Sequence, residues 1–219
     1  MILVPIKDFG EAKQRLATVL TPEQRNQLAR AMFADVLRAL AAVPSCPPVA
    51  VVTRDSAAIR IADDFGFGRI YDGLNAGETE AIAAATEQAV ARGAEFTLVI
   101  PADAPLVAPL EITRILESAP PEGTVLASAA DRQGTNAILR RPGNLFPARF
   151  GNQSFVPHLR AAIGARKPAV VLSLECLALD IDRPQDLFAL AQAAGSTESQ
   201  LLVRQWGFGR PLIAQAVGF

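Results

Sequence analysis

The chain has 219 residues, of which half are hydrophobic, and its 21 Lys and Arg against 22 Asp and Glu leave a formal net charge of -1. That length and apolar fraction build a sizeable core in one domain, and the balanced charge offers no general attraction to a polyanion, which excludes nucleic acid as the main partner. Cys46 and Cys176 lie far apart without metal-ligand spacing, so buried reduced thiols are expected.

The opening MILVPIK enters a strand at once, over Ile2 to Ile6, and lacks the basic start and long apolar segment of a secretory signal. Between Arg38 and Arg54 the uncharged stretch is broken by Pro44, Pro47 and Pro48 and is too short to cross a bilayer. A soluble, cytoplasmic protein without a membrane partner is therefore expected.

Thr21 to Gln24, reading TPEQ, supplies an N-cap, a proline at the first helical position and a Gln able to close a capping box. Leu28, Met32, Val36 and Leu40, with Phe33 and Leu37 beside them, put one apolar stripe on the helix that follows and stops before Pro44. Val49 to Thr53 predicts a strand, Asp55 or Ser56 the cap of a short helix ended by Gly66, and Arg69 to Asp72 a short strand. The loop GLNAGET opens an alanine-rich helix through Ala91 that Gly93 closes. A strand from Thr97 to Pro101, a helix from Pro109 to Ser118 and a strand from Thr124 to Ala129 follow. Strands alternating with helices in this way predict an α/β fold of order βαβαβαβ, with a mostly parallel sheet covered on both faces.

From Asp131 the rhythm changes. DRQGTNAILRR reads as a polar loop running into a strand and FGNQSFVPHLRAAIG as a loop running into a helix, an insertion suited to wall one side of a pocket. The alternation resumes with strands over Ala169 to Leu172 and Leu177 to Ile181 and a helix over Pro184 to Ala194. The tail after Gly195, with Trp206, Phe208 and Phe219, reads as a docked extension or a subunit contact. The expected organisation is a domain over residues 1–195 and an extension over 196–219.

Two apolar runs end in carboxylates: TLVIPAD at Asp103, and LALDID at Asp180 and Asp182. Buried strands deliver such residues to the carboxyl edge of the sheet, where open α/β folds bind ligands. Three acids gathered there repel one another unless a cation intervenes, and hard oxygen ligands around a triphosphate suit Mg²⁺. The alternative is that each Asp caps the next helix, since Pro105 and Pro184 follow closely. Lys7, Lys13 and Arg15 stand where the first strand hands over to a helix and could hold phosphates, although the loop lacks both the Walker pattern and GxGxxG, and a solvated basic face would look the same. Thr135, Gly151 and Ser154 could hold a second phosphate or carboxylate; a turn and an ordinary N-cap are the plainer alternatives. His158, the sole histidine, lies four residues from Ser154 and could face the same pocket as a base or simply serve the structure. No GxSxG elbow, second histidine or Cys/His pair is present, which disfavours acyl-transfer and zinc chemistry.

Taken in order, VPIKDFGEAKQRLA, the TPEQR helix, VVTRD, DGLNAG, IPADAPL, DRQGTNAI, FGNQSFVPH and LALDIDRPQDL resemble the 2-phospho-L-lactate guanylyltransferase family of coenzyme F-420 biosynthesis, over roughly Met1 to Ala194. The resemblance implies a three-layer nucleotidyltransferase fold similar to glycosyltransferase-A domains, with Mg²⁺ as cofactor and GTP and a small phosphorylated acid as partners. It implies that GMP is joined to 2-phospho-L-lactate, phosphoenolpyruvate or 3-phosphoglycerate with release of pyrophosphate. A homodimer and hand-over of the product to a downstream transferase are compatible with it. Asp103, Asp180 and Asp182 match the family's metal- and substrate-binding carboxylates and Lys13 its phosphate-loop lysine, which makes Lys13 and Asp103 the catalytic pair. Thr135, Gly151 and Ser154 match positions that hold the acid, and Thr53 with Gly73, Leu74 and Asn75 lies where guanosine would bind. The rival readings are another sugar- or cofactor-nucleotidyltransferase of the same fold and a catalytically silent nucleotide-binding protein.

Overall fold

A computed structural model describes residues 1–71, 77–151 and 153–209. Its strands, in chain order, are β1 Ile2–Pro5, β2 Val49–Thr53, β3 Gly68–Tyr71, β4 Thr97–Val99, β5 Gly123–Ser128, β6 Thr135–Arg141 and β7 Ala169–Leu172. They form one sheet in the order β3-β2-β1-β4-β6-β5-β7. Every pairing is parallel except those of β6, which runs antiparallel to both β4 and β5. The mostly parallel α/β sheet is thus as expected, and its one reversed strand falls where the sequence rhythm changes after Asp131.

The helices are α1 Pro22–Ala41, α2 Ser56–Asp64, α3 Glu78–Ala91, α4 Pro109–Glu117, α5 Phe155–Gly164, α6 Pro184–Gln192 and α7 Glu198–Gln205. The capping box at the start of α1 is formed: Thr21 Oγ accepts from Gln24 N–H at 3.2 Å and Gln24 Oε1 accepts from Thr21 N–H at 2.9 Å. Alternation along β1 divides it between two cores. Ile2 and Val4 pack with Phe33, Leu37 and Leu40 of α1, whereas Leu3 packs with Ile82, Ala85 and Ala89 of α3. All three strand residues are fully buried, and burying each such side chain is worth about 1.5–3 kcal/mol. A central strand sealed on both faces can offer a ligand only its end.

One expectation is corrected. Leu177 to Ile181 is not a strand. Its apolar side chains Leu177 and Ile181 are buried, but its backbone finds partners outside any ladder. The Glu111 carboxylate accepts from Cys176 and Leu177 N–H at 2.9 and 2.8 Å, Asn136 Nδ2 donates to the Leu177 and Ala178 carbonyls, and Ile181 N–H donates to the Asp103 carbonyl. Buried backbone needs hydrogen bonds, and side chains supply them here. After Gly195, where a docked extension or a subunit contact was expected, the chain forms α7 over Glu198–Gln205, with Val203 buried among Leu28, Met32, Leu187 and Leu190.

Candidate active site

Because β1 and β4 are parallel neighbours in register, Ile2 with Leu98 and Leu3 with Val99, both release the chain at the same edge. The bond from Ile181 N–H to the Asp103 carbonyl, 3.1 Å, then draws the 177–182 segment under that edge. A cleft of about 720 Å³ opens there, and Lys13, Asp103, Thr135, Gly151, Ser154, Asp180 and Asp182 all line it. Residues spread across the sequence from 13 to 182 are thus brought to one cleft. Thr53 is not part of it: it is 1% exposed, and its hydroxyl accepts from Asp55 N–H at 3.0 Å, which sets up the cap of α2. Gly73, Leu74 and Asn75 lie outside the described residues.

One end of the cleft is charged. Lys13 sits between two 3-10 turns, Phe9–Glu11 and Gln14–Leu16, in a left-handed conformation with φ 56° and ψ 38°. A non-glycine residue held this way costs about 1–3 kcal/mol and persists only where its surroundings fix it. What fixes it is ionic. Lys13 Nζ donates to Asp103 Oδ2 at 2.6 Å and to Asp182 Oδ1 at 3.0 Å, while Arg15 reaches Asp182 Oδ2 at 3.1 Å. Burial works against the Lys13 ammonium, yet the charges of Asp103 and Asp182 outweigh it and hold its pKa above the ordinary value. Asp182 mirrors this: burial opposes its ionisation, and Lys13 and Arg15 keep its pKa below the usual carboxylate range.

Asp180 has the opposite balance. Burial and then the neighbouring Asp103 charge push its pKa up, against a hydrogen bond of 3.3 Å from Asn136 Nδ2. Glu78, at the start of α3, is pushed up to about 6 by burial first and then by Asp103. Lys13 stands between Asp103 and Asp182, and among the described residues no three His, Cys, Asp or Glu groups are gathered closely enough to hold a metal by themselves. The cluster therefore gathers four acids around Lys13, with Arg15 paired to Asp182 at its edge.

The other end is lined by hydroxyls. Ser154 precedes α5 at the N-cap position, yet its side chain does not cap the helix; its Oγ accepts from Thr135 N–H at 3.1 Å and so joins α5 to β6. Thr135 Oγ1 lies 2.8 Å from His158 Nδ1, and Arg149 N–H donates to His158 Nε2 at 2.8 Å. Between these parts Gly151 turns with φ 126°, a conformation closed to side chains.

Glu78 and Asn136 also line the cleft and were not singled out in the sequence. Asn136, 4% exposed, ties Asp180 to the 177–178 backbone; its place inside the GTN segment was the signal available. Glu78 had no comparable signal, since an acid in the first turn of a helix is ordinary. A smaller, mainly apolar cavity of about 240 Å³ adjoins the cleft, walled by Ile6, Ala29, Met32, Val52 and Pro101 and sharing Lys13, Glu78 and Asp103 with it.

A family model described as "Guanylyl transferase CofC like" matches residues 1–211. The phosphoenolpyruvate guanylyltransferase of Rubrobacter xylanophilus is 35% identical over 197 residues, covering 88% of this chain and 94% of that protein. The 2-phospho-L-lactate guanylyltransferase of Methanothermobacter thermautotrophicus is 30% identical over 209 residues, covering 94% and 90%. Among solved structures, a protein of Desulfovibrio desulfuricans G20 described as a nucleotide-diphospho-sugar transferase superposes with a TM-score of 0.77 at 18% identity, covering 93% of each chain.

Proposed function

Because the chain belongs to the CofC-like guanylyl transferase family, we propose that it joins GMP from GTP to the phosphate of a small three-carbon acid and releases pyrophosphate, as a step of coenzyme F-420 biosynthesis. The observation that carries this reading is the polarity of one cleft: a lysine embedded in surplus carboxylates in one part, hydroxyls in another. The reading seats one polyanion against the lysine and the other against the hydroxyls.

A phosphate oxygen of the acceptor attacks the α-phosphorus of GTP, and the bond from that phosphorus to the bridging oxygen of pyrophosphate breaks. The nucleophile is already ionised near neutral pH, so no side chain has to remove a proton. What remains for the protein is positioning and neutralisation of charge. Lys13, kept protonated by Asp103 and Asp182, lines the cleft and would give its ammonium to a triphosphate oxygen. Thr135, Gly151 and Ser154 would bind the acid. The smaller apolar cavity suits the flat faces of a base, with Glu78 at its border able to accept from guanine N–H groups.

The donor set suits Mg²⁺ in a specific way. Mg²⁺ is commonly held by one or two carboxylates plus substrate phosphates rather than by an all-protein cage. Asp103 and Asp180 are near enough for one charge to raise the pKa of the other, and Asp180 has no cationic partner among the described residues; these two would hold the ion, with Asp182 engaged by Lys13 and Arg15. When bound, the metal would neutralise charge on the α-phosphoryl and leaving groups.

The test is mass spectrometry of assays pairing GTP, ATP or CTP with 2-phospho-L-lactate, phosphoenolpyruvate or 3-phosphoglycerate in Mg²⁺. A guanosine-containing diester with one of these acids is expected. An adenosine or cytidine product, or turnover only with a sugar phosphate, would support another transferase of this fold, and GTP binding without any product would support a silent nucleotide-binding protein.

A further inference from the structure

His158 is 1% exposed and lies outside the chemistry above, yet its two ring nitrogens settle how the hydroxyl end is wired. An amide N–H can only donate, so the bond from Arg149 N–H requires a lone pair on Nε2. A neutral imidazole with an accepting Nε2 carries its proton on Nδ1, and that proton is donated to Thr135 Oγ1. Burial and then the positive charge of Arg140 hold the ring pKa down at about 4, which keeps this neutral form in place. Thr135 Oγ1 is thus an acceptor toward the protein, and Ser154 Oγ is likewise an acceptor from Thr135 N–H. Among the described residues neither hydroxyl has a protein acceptor for its own proton, and both side chains, 6% and 4% exposed as residues, line the cleft.

We infer that His158 is a positioning residue that keeps the Thr135 hydroxyl proton free to be donated into the cleft, so that Thr135 and Ser154 together offer two hydroxyl donors to an oxyanion. The inference rests on the reading of this wall as the acceptor pocket. A phosphate or carboxylate oxygen accepts both protons as charge-assisted bonds, whereas a neutral ligand oxygen there receives only the weaker neutral ones. The seat thereby favours the ionised form of the acid's phosphate or carboxylate.

A double-mutant cycle of Thr135→Val and His158→Phe tests the wiring, with steady-state kinetics in GTP and in whichever of the three acids supports pyrophosphate release. Each single variant is expected to raise KM for the acid about tenfold while leaving KM for GTP within about twofold, and the double variant to be no worse than Thr135→Val, because one hydrogen bond cannot be lost twice. Additive losses, or an unchanged acid KM in a folded His158→Phe protein, would overturn the role of His158 while leaving the pocket in place. If instead Thr135→Val and Ser154→Ala raise KM for GTP and spare the acid, the pocket reading itself fails. Should His158→Phe not fold, His158→Asn against His158→Gln decides. Asn places an amide N–H where Nδ1 stood and should restore acid binding; Gln reaches the Nε2 position and should not. Equal behaviour of the two would overturn the inference.

Discussion

Among the described residues, carboxylates buried in the fold and carboxylates half-buried at the cleft are bonded differently. Asp35, in the middle of α1, accepts from Glu198 N–H, Ser199 N–H and the Ser199 hydroxyl at 3.0, 2.9 and 2.7 Å, with Arg38 alongside at 2.7 Å. Glu111 spends both oxygens on the Cys176 and Leu177 amides. At the cleft, by contrast, Asp180 and Glu78 face other acids, and Asp103 and Asp182 share a lysine. An acid saturated by its own backbone holds the fold, and an acid left facing like charges is held for something that arrives from outside. The contrast predicts opposite trade-offs between stability and turnover.

The largest effect is expected from Asp103→Asn. Turnover should fall on the order of a hundredfold or more, since a charge partner is lost while size is kept, and the melting temperature should stay near that of the parent. Pyrophosphate release and calorimetry on the same preparation check it, and near-normal turnover would remove Asp103 from the chemistry. Asp35→Ala should do the reverse: about 3 kcal/mol of stability lost in denaturant titration, because two amides and a hydroxyl lose their acceptor, with both KM values unchanged.

Ser154→Ala sharpens the comparison at the hydroxyl end. KM for the acid should rise about tenfold, roughly 1.4 kcal/mol, with KM for GTP steady. Because Ser154 does not cap α5, the accompanying stability loss should come from the orphaned Thr135 amide rather than from fraying of the helix, which amide exchange across residues 155–158 would report.

The smallest effect concerns Glu78. Its folded pKa of about 6 lies above the ordinary carboxylate value of 4.5, so the folded state binds the extra proton and stability falls as pH rises from about 4.5 through 6. Glu78→Gln should abolish that decline and be more stable than the parent by about 1 kcal/mol at pH 7, measured by chemical denaturation at several pH values. Identical slopes for the two proteins would show that Glu78 does not pay for its place beside Asp103.

Much of this was legible because local chemistry and tertiary structure agree. TPEQ both starts and caps α1, the β1 to β5 strands follow apolar runs bounded by turn residues, and two runs ending in aspartate located the carboxylate end of the cleft. LALDI misled because an apolar run reports burial, not ladder pairing; only the distant Glu111 and Asn136 make a buried irregular path viable. Thr197 and Gln200 repeat the capping box of Thr21 and Gln24, so α7 carried a start signal, but its partner Asp35 is invisible without the fold. Thr53 was placed by position in the resemblance and does not line the cleft; its hydroxyl accepts from Asp55 N–H in the next turn. The Lys13 bridge was not readable either: spacing placed a basic residue near phosphate, and only the left-handed backbone aims it at two acids.

The clamp of Asp35 on α7 also sets an order of assembly. Asp35 precedes the amides it caps by 163 and 164 residues, so on the ribosome α1 emerges long before its partner, with Leu28 and Met32 bare on the same side. Contacts this distant close late and slow the search for the native state. Vectorial synthesis therefore leaves a half-finished protein with an uncovered apolar face, the form in which chains aggregate or recruit chaperones. Val203 is the last residue of that buried cluster to be synthesised, after Leu187 and Leu190.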